Sequence, residues 1–282
     1  MRLGIVVAAL TGLICLTGCS VKFAYNNVDR LLRWQVSDYV NLNSEQKDRL
    51  VEDIDELMAW HRAQHLPQYV LFAHGIAQTW SDGVTEQQIA DMFEHILVWG
   101  NEIQERGEPI ATALLVSLSD AQVAALPAKL ERSNIEIEED EIDTSLVDIQ
   151  EHWAEEFADG LERFTGRLAK DQKSYITRRA VAYQPEAHLW MQYRRRWQAD
   201  LLVLLEKRND TGFAQKFDAL VAARDTYYGE TFVRVSGENI TLARQMAAHL
   251  LSNMSAKQSQ RFVEALTDLA EDFAELAEQD QN

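Results

Sequence analysis

His61 and His65 stand one helical turn apart just ahead of Pro67, and Asp53 and Leu57 continue the same i, i+4 row. Two imidazoles on one helix face can chelate a metal ion, with a carboxylate as a third ligand. Metal-assisted hydrolysis is the chemistry such a pair would support. The glutamate of a His-Glu-x-x-His metalloprotease is missing, because positions 62 to 64 are Arg, Ala and Gln. His65 can instead face the negative end of its helix. The other histidines, at 74, 95, 152, 188 and 249, show no ligand spacing. There is no P-loop, no Gly-x-Ser-x-Gly and no dinucleotide fingerprint. No catalytic residue and no cofactor is expected, and His61 and His65 are the one candidate metal pair.

Charge supplies the second candidate. The chain carries a formal net charge of −18, which opposes nucleic acid and anionic head groups on average. Between Arg163 and Trp197 the sign reverses: nine basic residues meet only Asp171 and Glu186. Tyr175, Tyr183, Trp190, Tyr193 and Trp197 lie among them. Arginine stacks on such rings and grips carboxylates or phosphates with two parallel hydrogen bonds. Arg178, Arg179, Arg194, Arg195, Arg196, Tyr193 and Trp197 are therefore candidates for an anionic ligand or a partner's acidic face. The alternative is neutralisation inside the fold, by the run Glu136 to Asp143 and other acidic faces.

The elements that must position these residues read as helices. Gly and Pro number only 12 and 4. Ile89, Phe93, Ile96, Gly100 and Ile103 step by three and four, as do Trp153, Phe157, Leu161, Phe164 and Leu168, and Phe262, Leu266, Leu269, Phe273 and Leu276. Each set is one apolar stripe on a 3.6-residue helix. Breaks are expected at Leu66-Pro67, Ser81-Asp82-Gly83, Gly107-Glu108-Pro109, Leu126-Pro127, Gln184-Pro185, Asn209 to Gly212 and Ser236-Gly237. The expectation is all-α, a compact multi-helix bundle of about eight to ten helices. The acidic run from Glu136 to Asp143 reads as an exposed loop or a frayed helix end.

A short pattern recurs: an apolar residue, then Asn, Ser or Thr, two residues, then Gln. It occurs at Leu42–Gln46, Val84–Gln88, Leu118–Gln122 and Met254–Gln258, with a degenerate copy at Leu168–Gln172. Asn, Ser or Thr at N-cap with Gln at N3 is a capping box, and Val84 with Ile89 and Leu118 with Val123 fit the hydrophobic staple. Each copy marks a helix start. The copies also resemble the Leu-Thr-x-x-Gln signature of small periplasmic helical chaperones, which implies a holdase that cradles unfolded clients.

Leu16-Thr17-Gly18-Cys19 closes an apolar run from Leu3 to Cys15 that follows Arg2 and is too short to span a bilayer. These residues resemble the lipobox of a bacterial lipoprotein. The resemblance implies that residues 1–18 are a cleaved signal peptide and that Cys19 is lipidated, with residues 19–282 as a single helical periplasmic domain. Ser20 follows in place of the Asp that marks inner-membrane retention, which favours the outer membrane. No thiol would then remain, since Cys15 leaves with the leader. No later segment approaches 18 consecutive apolar residues. Phe23 to Leu42 places Val28, Leu31, Leu32 and Tyr39 on a face that can lie on the membrane or pack into the protein's own core.

Phe23-Ala24-Tyr25-Asn26-Asn27, Trp34, Asp38 to Leu42, Trp60-His61-Arg62, Leu66-Pro67-x-Tyr69 and Arg194 to Trp197 together resemble a family of uncharacterised proteobacterial lipoproteins carrying a domain of unknown function. The resemblance implies an all-α envelope lipoprotein and no activity. The expected function is a non-catalytic binding or scaffold protein of the envelope, anchored by lipid and facing the periplasm. Its expected partners are the membrane and an anionic envelope ligand or envelope protein, not nucleic acid. The holdase and a hydrolase using His61 and His65 are the alternatives.

Overall fold

The computed structural model describes residues 19–80, 84–141 and 145–279, with the side chains of residues 19, 20, 140 and 141 left aside. The expected signal peptide lies outside the described residues. The chain folds into α1 (Cys19–Tyr25), α2 (Val28–Tyr39), α3 (Ser44–Gln64), α4 (Leu66–Thr79), α5 (Glu86–Ser117) and α6 (Asp120–Glu141). It continues as α7 (Leu146–Thr165), α8 (Lys170–Ala180), α9 (Ala187–Leu205), α10 (Phe213–Ala222), α11 (Glu230–Ser252) and α12 (Ala256–Glu278). A short 3₁₀ turn, Ala223–Tyr227, joins α10 to α11. No strand occurs among the described residues, so the fold is all-α as expected.

Amphipathic stripes decide the packing. Leu266, Leu269, Phe273 and Leu276 of α12 are buried, and α12 runs antiparallel along α4: Tyr69 meets Phe273, and Trp80 meets Phe262. Burying an aromatic such as Phe273 fully is worth roughly 1.5 to 3 kcal/mol. The main core gathers Tyr25, Leu32, Ile54, Leu66, Trp99, Leu201 and Phe217 around this pair. A second cluster joins α7, α8 and α11 through Ala158, Ile176 and Met246. A third closes the start of α5 against the end of α11, where Val84 and Ile89 meet Ala248 and Leu251. Among the described residues no single helix is long and apolar enough to cross a membrane.

Several expected breaks are absent. Gly107 to Pro109 lie inside α5, Leu126-Pro127 inside α6, and Ser236-Gly237 inside α11. Proline removes one helix hydrogen bond, but Ile110, Ala111 and Leu114 pack on the main core just beyond Pro109. Tertiary burial therefore carries the helix through. Of the loop or helix end expected for the acidic run, the structure shows the helix end: α6 runs into it and stops at Glu141, with Glu138 paired to Arg195 of α9. The breaks at Pro67, Pro185 and Asn209 to Gly212 do separate helices, and Ser81 to Gly83 lie outside the described residues.

Candidate functional site

All five copies of the capping pattern begin helices: α3, α5, α6, α8 and α12. Asn43, Thr85, Ser119 and Ser255 each accept from the backbone N–H three residues on. The glutamine of each box accepts from the backbone N–H of the cap residue. Four copies then pair two by two. Gln46 and Gln122 exchange amide hydrogen bonds at 3.2 and 2.7 Å, and Gln172 and Gln258 do the same at 3.4 and 2.9 Å.

Each amide also donates to a backbone carbonyl of its partner strand of chain. The acceptors are Ser117 for Gln46 and Asn41 for Gln122, Asn253 for Gln172 and Arg167 for Gln258. In all four cases the carbonyl lies two residues before the partner's cap position. The two junctions thus share one approximate two-fold arrangement. A buried amide must find partners, and here each glutamine satisfies its own helix start and its neighbour's approach at once.

The second junction forms the floor of an open groove of about 1610 Å³ between the start of α8 and the start of α12. Gly166, at φ +69°, ends α7 and turns the chain directly into the wall. Arg167, Lys170, Lys173 and Arg178 line one side and Lys257 and Arg261 the other, against Asp171 and Glu264. Lys173 is paired with Glu162 at 2.7 Å and holds that carboxyl below the ordinary range. Arg167, Lys170, Arg178 and Lys257 form no ion pair among the described residues. Position 169 is alanine, which has no acceptor, so the first turn of α8 lacks the side-chain cap present at the other four copies of the pattern. A groove of cations with an uncapped helix start suits phosphate or carboxylate oxygens.

The arginine segment is split by the fold. Arg178 lies in the groove. Arg179 donates to Gln245 of α11 at 2.9 Å. Tyr193 and Trp197 are buried in the main core, so neither offers a ring to a ligand. Arg195 is clamped by Glu131 and Glu138 of α6. Arg196 donates to the carbonyls of Gln192 and Tyr227. Arg194 is fully buried, donates to Asn134 and Ser133, and sits over the Trp190 ring with its centre 5.4 Å from the centroid. Of the seven residues expected to meet an anionic ligand or partner, only Arg178 lines the groove; for Arg194, Arg195, Tyr193 and Trp197 that expectation is corrected, since they are spent inside the fold. Residues 193 to 197 lie on a helix whose inner face is core and whose cations meet neighbouring helices. Lys257 and Arg261 complete the groove from a distant part of the chain.

His61 and His65 belong to a different, enclosed cluster. Both are 1% exposed, and their rings stack at 5.1 Å and 5°. Tyr25 Oη lies 2.8 Å from His61 Nδ1, and His61 Nε2 lies 3.2 Å from Tyr69 Oη. Tyr69 Oη is 3.4 Å from His65 Nδ1, and His65 Nε2 is 3.5 Å from Glu102 Oε2. The hydrogen bonds run in series from Tyr25 to His61, Tyr69 and His65, with each direction set by the histidine tautomers, and the Glu102 carboxyl lies beyond the outer nitrogen of His65. Burial keeps His61 neutral, its pKa pushed down to about 3, and raises Tyr69. The ring nitrogens that would bind a metal are thus turned to phenols and a carboxylate. Among the described residues no group of three His, Cys, Asp or Glu could hold a metal ion.

No curated protein and no solved structure matches the chain. A family described as "Family of unknown function (DUF6279)" matches residues 38–233, from the end of α2 into α11. That stretch holds the Gln46–Gln122 junction, the histidine cluster except Tyr25, and the α8 side of the groove. By that match, the chain belongs to the family of unknown function DUF6279.

Proposed function

We propose that this is a lipid-anchored helical protein of a proteobacterial envelope that works by binding rather than by catalysis. It is fastened through Cys19 to the outer membrane, faces the periplasm, and takes an anionic envelope component in the groove between α8 and α12. The observation that carries the binding reading is the groove's charge: six cations against two carboxylates in a chain of net −18. Local fields of that sign attract anions even when the whole molecule repels them. The Leu16 to Cys19 pattern and Ser20 support the anchor and its membrane.

Titration with inorganic pyrophosphate and with a glutamate-rich peptide tests the binding reading. Saturable binding of either probe, weakened roughly a hundredfold in the double variant Lys170→Glu, Lys257→Glu, is the expected result. Binding unchanged by that variant, or no saturable binding at all, removes the groove from the account. Mass measurement of the chain purified from membranes tests the anchor separately.

A holdase reading has one supporting observation. Phe93 and Leu97 of α5 and Val233 and Ile240 of α11 are exposed large apolar residues. These two helices pack antiparallel, with Arg244 over the Phe93 ring. If that row receives unfolded clients, the protein suppresses aggregation of an unrelated unfolded protein, and Phe93→Lys with Ile240→Lys abolishes the effect. An inert native protein in that assay ends this reading.

A further inference from the structure

The outward face of α1 and α2 remains unused by the fold. Val21, Tyr25, Val28 and Leu32 are buried and form one stripe at steps of four, three and four. Phe23, Arg30 and Trp34 lie at the opposite positions, and Leu31 flanks them. Phe23 is 72% exposed, Trp34 59% and Leu31 46%. One side of this segment therefore completes the core, and the other sets Phe23, Leu31 and Trp34 outward among polar residues.

The segment is pinned firmly. Lys22 pairs with Asp272 at 3.0 Å and Glu275 at 2.7 Å of α12. Asp29 is paired with Arg33, and Asn27 donates to the Phe23 carbonyl across the turn between the helices. Arg30 reaches only Asn27 among the described residues, at 3.3 Å. The exposed face thus presents two aromatic rings, a leucine and a cation with no carboxylate partner, with the polar Asn26 and Ser37 between and beyond them. Aromatic rings with arginine are the side chains that settle at the head-group level of a bilayer.

The position of this row in the chain names its occupant. Phe23 is four residues after Cys19, about 6 Å along a helix. An acyl group on Cys19 holds that point at the lipid surface. Standing upright, α1 and α2 would carry Trp34 away from it, whereas lying flat they bring Phe23, Arg30 and Trp34 to the surface together. The geometry points to the outward face of α1 and α2 as a seat on the bilayer that carries the anchor, with α1 and α2 in the interfacial plane. The inference deepens the anchor reading and rests on it.

Coupling Cys19 to a synthetic lipid separates the two claims. The main core is built within residues 19–279, so a chain beginning at Cys19 retains it and has Cys19 as its one thiol. That thiol is joined to a maleimide lipid in vesicles of phosphatidylethanolamine and phosphatidylglycerol, with brominated acyl chains as quencher. The expected result is loss of one tryptophan's share of the emission, absent in Trp34→Tyr and reduced when Phe23→Ser is added. Unquenched emission, or equal quenching in Trp34→Tyr, overturns the seat. A dimer of the uncoupled chain that dissociates in Trp34→Arg instead assigns the face to a second copy and also overturns it. An unacylated chain from cells would end the anchor reading, while the vesicle result would still report what the face itself can do.

Discussion

The Gln46–Gln122 junction and the Gln172–Gln258 junction use the same hydrogen bonds in very different surroundings. Beside the first, the adjoining space is about 300 Å³, and Glu45, Arg49 and Asp53 nearly balance, with Arg49 on Asp53 at 3.0 Å. Beside the second, the groove is about 1610 Å³ and its cations outnumber its carboxylates three to one. The contrast separates two roles that the repeated pattern alone merges. Reciprocal glutamine pairing is a way to seat two helix starts against each other, and it works with either sign of charge around it. Binding, where it occurs, comes from what the surrounding turns add.

The sharpest test of that separation reverses charge at one junction only. In Lys170→Glu with Lys257→Glu, each exposed reversal changes the interaction with a nearby anion by about 1 to 2 kcal/mol. Together they should weaken pyrophosphate binding roughly a hundredfold. The matched change Arg49→Glu beside the first junction should leave binding unaltered, as followed by calorimetry. Equal losses from both sites would mean that the anion senses overall charge, and the groove would lose its special standing.

Deleting a glutamine should hurt both junctions alike. Gln46→Ala strips an acceptor from the Asn43 N–H and a donor from the Ser117 carbonyl, and it takes from the Gln122 amide one of its two acceptors, leaving the Asn41 carbonyl. Gln258→Ala does the same to Ser255, Arg167 and Gln172. Leaving such buried groups without partners costs about 2 to 3 kcal/mol. Urea unfolding of each single variant, and of the double variant at each junction, measures the cost and the coupling. A large loss at one junction with none at the other would break the proposed equivalence.

These junctions also mark how far the sequence reaches. The starts of α3, α5, α6 and α12 were legible because a capping box is local: N-cap and N3 lie three residues apart. The pairing of those starts was not legible, since Gln172 and Gln258 are 86 residues apart. The excess of cations from 163 to 197 was visible, but not its division into a groove wall and a buried face. That division depends on which side of α9 packs against α6. Pro109, Pro127 and Gly237 misled for the same reason: their helices are held by contacts with other helices. His61 and His65 had ligand-like spacing, yet Tyr25, Tyr69 and Glu102 arrive from α1, α4 and α5 to occupy their nitrogens.

Salt gives a milder test of the same contrast. Raising ionic strength from 0.1 M to 1 M shortens the screening length from about 10 Å to about 3 Å. Pyrophosphate binding at the exposed cations should weaken severalfold over that range. The buried amide pairs hold no net charge, so the stability difference between native protein and Gln258→Ala should stay constant. Urea titrations at both salt concentrations compare the two directly. A cost that shrinks with salt would mean that the cations, not the amides, hold α8 against α12.

The smallest change restores symmetry at the one position where the junctions differ in their caps. Asn43, Ser119 and Ser255 each accept from the N–H three residues on, whereas Ala169 cannot. Ala169→Ser supplies the missing acceptor and should stabilise the protein by about 0.5 to 1 kcal/mol, while Ser119→Ala should cost about the same. If the uncapped N–H of α8 also receives ligand oxygens, Ala169→Ser should lower pyrophosphate affinity a few-fold while raising stability. That opposition of sign is what tells a donor reserved for a ligand from a cap that is merely absent. Stabilisation with unchanged affinity would leave binding to the cations alone, and would make the missing cap a defect in the pairing of helix starts.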